Sequence, residues 1–530
     1  MSNVKSDQLF KLIHSLSKGE KRFFKIYTTR INPAGDKKFI RLFDAIEKQA
    51  VYDEPAILRK EKSLIPAQIS NMKAHLYSQL LKSLRLLNAS KEEHLELTMY
   101  LDYARILYNK CLYKECVKML DKAKLLAIEN NSSILLLEIL DLEKLVIPKT
   151  IESGNQQRVN ALIEYTNNVT ESIRNGNGYS NLALKMNAFY VQTGFSKDPE
   201  DLAQIADLFQ ENIPDFDENS LSFQERLHMY NAYVGYFFYI QDFENGYTYA
   251  RKLADLFHEN PEMKQHKLEA YIKALNSLLV VLNKLRYIKE FEKCLRELTA
   301  IKRNKAFVLT ENINLNLFKA IYVHQINRHF MRGQFTSGTR IVDALEDELN
   351  RFLPMLDKHS ILIFYYKIAC LFIGCGKFKI AVKWLNKIYN EKQIDLREDI
   401  LAFTRILLLV CHYEMGNETL VESNIRSTYR YFSKKGQISE YQRNILEFVR
   451  YLFSEPSEKN VHRQFIRLKE KMLELENNPQ EKKAFMYFDI ISWLDSKIFL
   501  RPIELVTREN AAKRLRSVQT KNAESFPSAL

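Results

Sequence analysis

With 530 residues, 46% of them hydrophobic and 27% charged, the chain has enough apolar groups to bury large cores, which excludes an intrinsically disordered protein. Only 14 glycines and 12 prolines leave little turn chemistry for a many-stranded β fold, so long helices are expected. The net charge of +13 is local: residues 1–90 hold 17 basic against 8 acidic side chains and residues 501–530 hold 6 against 3, so the residues between them are nearly neutral, which points to one basic module and away from a general polyanion-binding coat.

The first ten residues, from Met1 to Phe10, lack the apolar core and small-residue cleavage site of a secretory signal. The six cysteines are scattered among apolar helical stretches and form no disulfide framework, and no stretch reaches the ~18 uninterrupted apolar residues of a membrane span. A cytoplasmic protein in a reducing compartment is expected. Residues 1–90 read as a basic module of about five helices, the second opened by a capping box at Ser17 and Glu20. Along that helix Lys18, Lys21, Arg22 and Lys25 fall at i, i+3, i+4 and i+7, four cations on one face, and Lys37, Lys38 and Arg41 follow on the next helix. Such a face can grip the phosphates of a nucleic acid, rest on a membrane surface, or simply be solvated. The helix from Pro66 to Leu87 is expected to dock the module onto the first helical hairpin of the middle segment.

From residue 91 to 435 helical hairpins recur. The clearest lies between Leu362 and Tyr389, where Ala369, Phe372, Gly376, Phe378, Ala381, Leu385 and Ile388 place two antiparallel helices around a glycine turn, with Phe378 wedged between them. The Phe378 position returns at Tyr113, Gln156, Pro199, Phe243, Tyr287, Phe335 and Glu418, at spacings of 43, 43, 44, 44, 48, 43 and 40 in chain order. Seven residues after each stands an apolar residue: Leu120, Ile163, Ala206, Ala250, Cys294, Val342, Leu385 and Ile425. The segment resembles a tetratricopeptide repeat, in which a small residue in the second helix is followed by large apolar ones, although the period exceeds that family's ~34 residues. The resemblance implies an all-α, right-handed superhelical solenoid of antiparallel helix pairs. Beyond it the pattern loosens into helical stretches, so residues 436–508 are expected to form a helical cap, and residues 509–530, with Lys513, Arg514, Arg516 and Lys521 and few apolar groups, a basic, partly disordered tail. The pair Gly176 and Gly178 reads as part of a polar loop.

No motif for chemistry emerges. Cys111 and Cys116, Cys370 and Cys375, and His324 and His329 are each five apart, so neither member of a pair shares a helix face with the other, and no phosphate loop or nucleophile elbow is legible. The protein is expected to be no enzyme, with no catalytic residue, metal or cofactor. The resemblance implies a scaffold or adaptor that holds a peptide or helical partner in its groove, and carrying the groove positions over gives Arg105, Asn109, Asn231, Tyr239, Asn327 and Phe330 as partner-binding residues. The alternative is a nucleic-acid-associated regulator that uses the basic module.

Overall fold

A chain so poor in glycine and proline folds as its composition demands. The computed structural model describes residues 3–31, 38–89, 92–150, 156–193, 199–214, 217–391, 398–435, 438–452, 458–478 and 481–525; among them there are helices and no strand, and successive helices pack as neighbouring pairs. The chain forms two compact units, Met1–Glu171 and Ser172–Leu530.

In the first unit, α1 (Asn3–Ser15), α2 (Lys18–Ile31), α3 (Lys38–Glu47), α4 (Glu54–Lys60) and α5 (Pro66–Asn88) surround Leu9, Ile13, Phe24, Phe43, Leu76 and Leu80. The Ser17 amide donates to Glu20 Oε2 at 2.7 Å and the Glu20 amide donates to Ser17 Oγ at 3.3 Å, so two of the donors that a helix start leaves open are satisfied and α2 begins there. Helices α6 (Glu93–Asn109), α7 (Tyr113–Glu129) and α8 (Ser133–Thr150) follow, with Leu97, Leu101 and Ala104 facing Cys116, Leu120 and Ala123. Cys116 Sγ lies 3.2 Å from the Ala104 carbonyl, an approach that the small side chain at 104 permits. The unit boundary falls inside α9 (Gln156–Thr193), a continuous 38-residue helix that includes Gly176 and Gly178. These glycines do not break it. A Cβ on Gly178 would stand 3.1 Å from the Pro214 ring and one on Gly176 3.5 Å from His228, so their role is close packing of the neighbouring chain.

The second unit continues with α10 (Pro199–Asn212), α11 (Phe223–Tyr239), α12 (Phe243–Glu259), α13 (Met263–His266), α14 (Leu268–Leu285), α15 (Ile288–Ile301), α16 (Glu311–Arg332), α17 (Phe335–Phe352), α18 (Lys358–Gly374), α19 (Phe378–Tyr389), α20 (Glu398–Glu414) and α21 (Glu418–Lys435). The second helices of the hairpins bury one face at helical spacing, as in α15 with Phe291, Leu295, Leu298 and Ile301, whereas the first helices α18 and α20 are buried nearly all round. Helix starts are capped by Ser222, Asp242, Thr310 and Asp357. The first helices of successive hairpins, α14, α16, α18 and α20, touch one another in turn. Beyond them come α22 (Glu440–Leu452), α23 (Glu458–Glu476), a short 3-10 turn at Lys482–Met486, α24 (Ile490–Ile498) and α25 (Ile503–Ser525), the last running through the segment where the sequence places a basic tail.

Seven of the eight recurring anchors are the first residue of a helix, and Tyr287 is the residue before one. Two positions ahead of the first helical residue the backbone turns left-handed: at Gly333, Gly376 and Gly416, with φ of 61, 74 and 67°, but also at Cys111, Gln241 and Arg286, with φ of 59, 64 and 60°. The turn therefore recurs where the glycine does not. A side chain in this conformation costs roughly 1–2 kcal/mol, which glycine avoids. Cys111→Gly is accordingly expected to stabilise the first unit by about 0.5–1 kcal/mol, read as a higher denaturant midpoint by circular dichroism; an unchanged or lower midpoint would show that the Cys111 side chain makes a contact that offsets its backbone strain.

The apolar residue seven after the anchor is buried at Leu120, Ala250, Cys294, Val342, Leu385 and Ile425. At the two remaining units the register is one residue off: Ile163 is 49% exposed and Ala206 half-buried, while Leu162 and Ile205 are buried in their place. Phe378 is half-buried against the core, whereas Phe335 is buried and its ring lies over Gly374.

Candidate functional site

A cavity of about 1300 Å³ lies within the second unit. One wall is built by the first helices of successive hairpins, through Asn276 and Val280 of α14, Val323, His324, Asn327 and Phe330 of α16, and Ile363, Tyr366 and Lys367 of α18. The opposite wall is the end of the same chain, residues 485–489 and the face of α25 carrying Ile503, Thr507, Ala511 and Arg514. That wall is fastened at several points. The Thr336 amide donates to Glu504 Oε1 at 3.0 Å at the start of α17, where a carboxylate also suits the helix dipole. Tyr366 donates to the Tyr487 carbonyl at 3.2 Å, the rings of Phe403 and Tyr487 stack at 4.3 Å, and Trp493 Nε1 donates to Glu414 Oε1 at 2.7 Å. A Cβ on Gly333 would come within 2.7 Å of the Arg508 backbone, so α25 rests directly on that turn.

Across the first wall runs a chain of polar groups whose directions are fixed from one end. The Lys367 ammonium can only donate, and it donates to Asn327 Oδ1 at 2.7 Å. The Asn327 amide nitrogen then donates to His324 Nδ1 at 3.4 Å, which puts the imidazole proton on Nε2, donated to Asn276 Oδ1 at 3.0 Å. His324 is 1% exposed, and burial, helped by the nearby Lys367 charge, pushes it down to about 3. It stays neutral at ordinary pH and is poorly placed to shuttle protons there. Lys367 also lies 5.6 Å from the centre of the Phe330 ring. Among the ionic groups lining the cavity are Lys284, Arg286, Lys367 and Arg514 against Glu476 and Asp489, an excess of positive charge.

Of the partner-binding residues expected from sequence, the structure brings Asn327 and Phe330 together in this cavity. Arg105 and Asn109 are exposed on α6 of the first unit, Arg105 paired with Glu138. Asn231 turns its amide back to the Leu227 carbonyl at 2.7 Å, and Tyr239 is 2% exposed in the core. Sequence reasoning missed Asn276, Lys367 and Arg514, and treated His324 only as a metal ligand to be rejected. The spacing of about 40–48 residues that links Asn276, His324 and Lys367 is the repeat period itself, and was the signal that could have found them.

In the first unit a shallow depression of about 700 Å³ gathers Lys18, Lys21, Arg22 and Lys25 with Arg30, Ile26, Thr29 and Glu47. Lys38 and Arg41 sit on α3 outside it, and Lys37 falls outside the described residues. Among the described residues no group of three or more His, Cys, Asp or Glu converges as a metal site, and no helix is long and apolar enough to cross a membrane. The chain matches no protein-family model, no curated protein and no solved structure.

Proposed function

We propose that the protein is a non-catalytic interaction scaffold or adaptor, its second unit a tetratricopeptide-like, right-handed array whose groove holds a peptide or helical segment of another protein. The observation that carries this is the cavity wall shared by α14, α16 and α18: aligned donors and acceptors are set among apolar side chains, as a specific binding surface requires. The deep burial and neutrality of His324 favour a role in holding Asn327 and Asn276 in place over that of a catalytic base. Lys367 and Asn327 orient the partner's polar groups, while Phe330 and Ile363 supply apolar contact.

A benzophenone amino acid placed at Phe330 in the full chain is expected to capture one recurring partner species in cells, with at least a fivefold lower yield when Lys367→Met is added. The same species captured equally from exposed Ile134 of the first unit, or a yield indifferent to Lys367→Met, would remove the groove from the account.

A further inference from the structure

A basic depression lies on α2, in the first unit. Lys18, Lys21, Arg22, Lys25 and Arg30 line it, and its lining among the described residues includes one carboxylate, Glu47. Two of the five cations are already engaged: Lys21 pairs with Glu47 at 3.1 Å, and Lys25 pairs with Asp44 at 2.8 Å and stands 5.5 Å from the Phe43 ring centre. These pairs anchor α2 to α3 and hold the depression in shape. Lys18, Arg22 and Arg30 are exposed, and among the described residues none of the three has an ion-pair partner. They occupy one face over twelve residues, about 18 Å of helix, and Gly19 leaves the first turn uncluttered.

We propose that this face binds the phosphodiester backbone of duplex nucleic acid, without reading its sequence. Charge complementarity supports the class of partner: the cations that have no carboxylate partner among the described residues lie along one helix, in the module that holds most of the chain's excess charge. The lining supports a duplex over a single strand, because between the cations stand Ile26 and Thr29, with no aromatic ring to stack unpaired bases; Phe24 is 1% exposed, in the core. Cations spread along a shallow depression meet the phosphates that line the outside of a duplex before its base edges, so affinity should depend strongly on salt and weakly on sequence.

The test is fluorescence anisotropy of the full chain with a labelled 20-base-pair DNA duplex across a salt series starting near 25 mM. Binding is expected, and the triple variant Lys18→Ala, Arg22→Ala, Arg30→Ala should weaken it at least tenfold and flatten the log–log salt dependence by roughly 2–3. The charge-keeping triple Lys18→Arg, Arg22→Lys, Arg30→Lys should bind within twofold of the parent. A control of equal charge, Arg296→Ala, Arg303→Ala, Arg328→Ala, removes the arginines of a separate depression in the second unit and should leave binding within twofold. The proposal is overturned by no binding at the lowest salt, by equal losses in the two alanine triples, by tighter binding of a single strand of equal length, or by retention on phosphatidylserine vesicles without retention on the duplex. Capture at Phe330 is unaffected by this triple if both proposals stand, so each can fail alone.

Discussion

Gly374→Ala should destabilise the second unit by about 1–3 kcal/mol, the usual cost of overpacking a filled core. A Cβ on Gly374 would sit inside the van der Waals envelope of the Phe335 ring, which is itself 8% exposed. Phe335→Ala should cost more, about 3–5 kcal/mol, by leaving a cavity where α17 meets α18. In the double variant the new methyl occupies space vacated by the ring, so the combined cost should fall short of the sum by about 1 kcal/mol or more. Both tryptophans, Trp384 and Trp493, belong to the second unit, so tryptophan fluorescence, excited selectively over tyrosine, reads this unit alone during denaturation. Strict additivity would mean that the two residues do not meet.

Acid is the second lever. His324 is held neutral by burial well below the ordinary imidazole range, and His228, His329 and His412 are shifted the same way by burial. The unfolded chain therefore takes up protons first as pH falls. The stability that depends on neutral His324 is full above ~6.5 and drains toward the folded value of about 3, with a limiting slope of about 1.4 kcal/mol per pH unit. His324→Gln removes the titration. Its stability deficit relative to the parent should be largest at pH 7 and shrink by at least 1 kcal/mol by pH 5, measured by denaturant titration at each pH. Parallel pH profiles for the two proteins would refute the assignment.

The helical architecture was legible because apolar spacing is a local property: the Leu362–Tyr389 hairpin is seen as α18 and α19, with Gly376 in the expected left-handed turn. Positions where one residue type serves another purpose misled. Gly176 and Gly178 look like helix breakers, yet they admit Pro214 and His228 against an unbroken helix. Cys111, Gln241 and Arg286 hide a repeated turn because nothing in their side chains announces a left-handed backbone. In the groove, Asn327 and Phe330 could be placed by counting from Phe335, but not the residues of the opposite wall, because which distant segment covers a face depends on packing over more than a hundred residues. The Tyr366 to Tyr487 contact is of that kind.

The placement of α25 bears on how the chain emerges during synthesis. This helix, which rests on the Gly333 turn and through Glu504 on the start of α17, begins 171 residues after α16 ends. At ~5–20 residues per second the ribosome needs roughly 10–35 s to supply it. Until it arrives, the apolar side chains of α16, and those of α18 once that helix has been made, stand without the surface that later covers them, a window in which chaperones, or the eventual partner, meet the groove before its second wall exists.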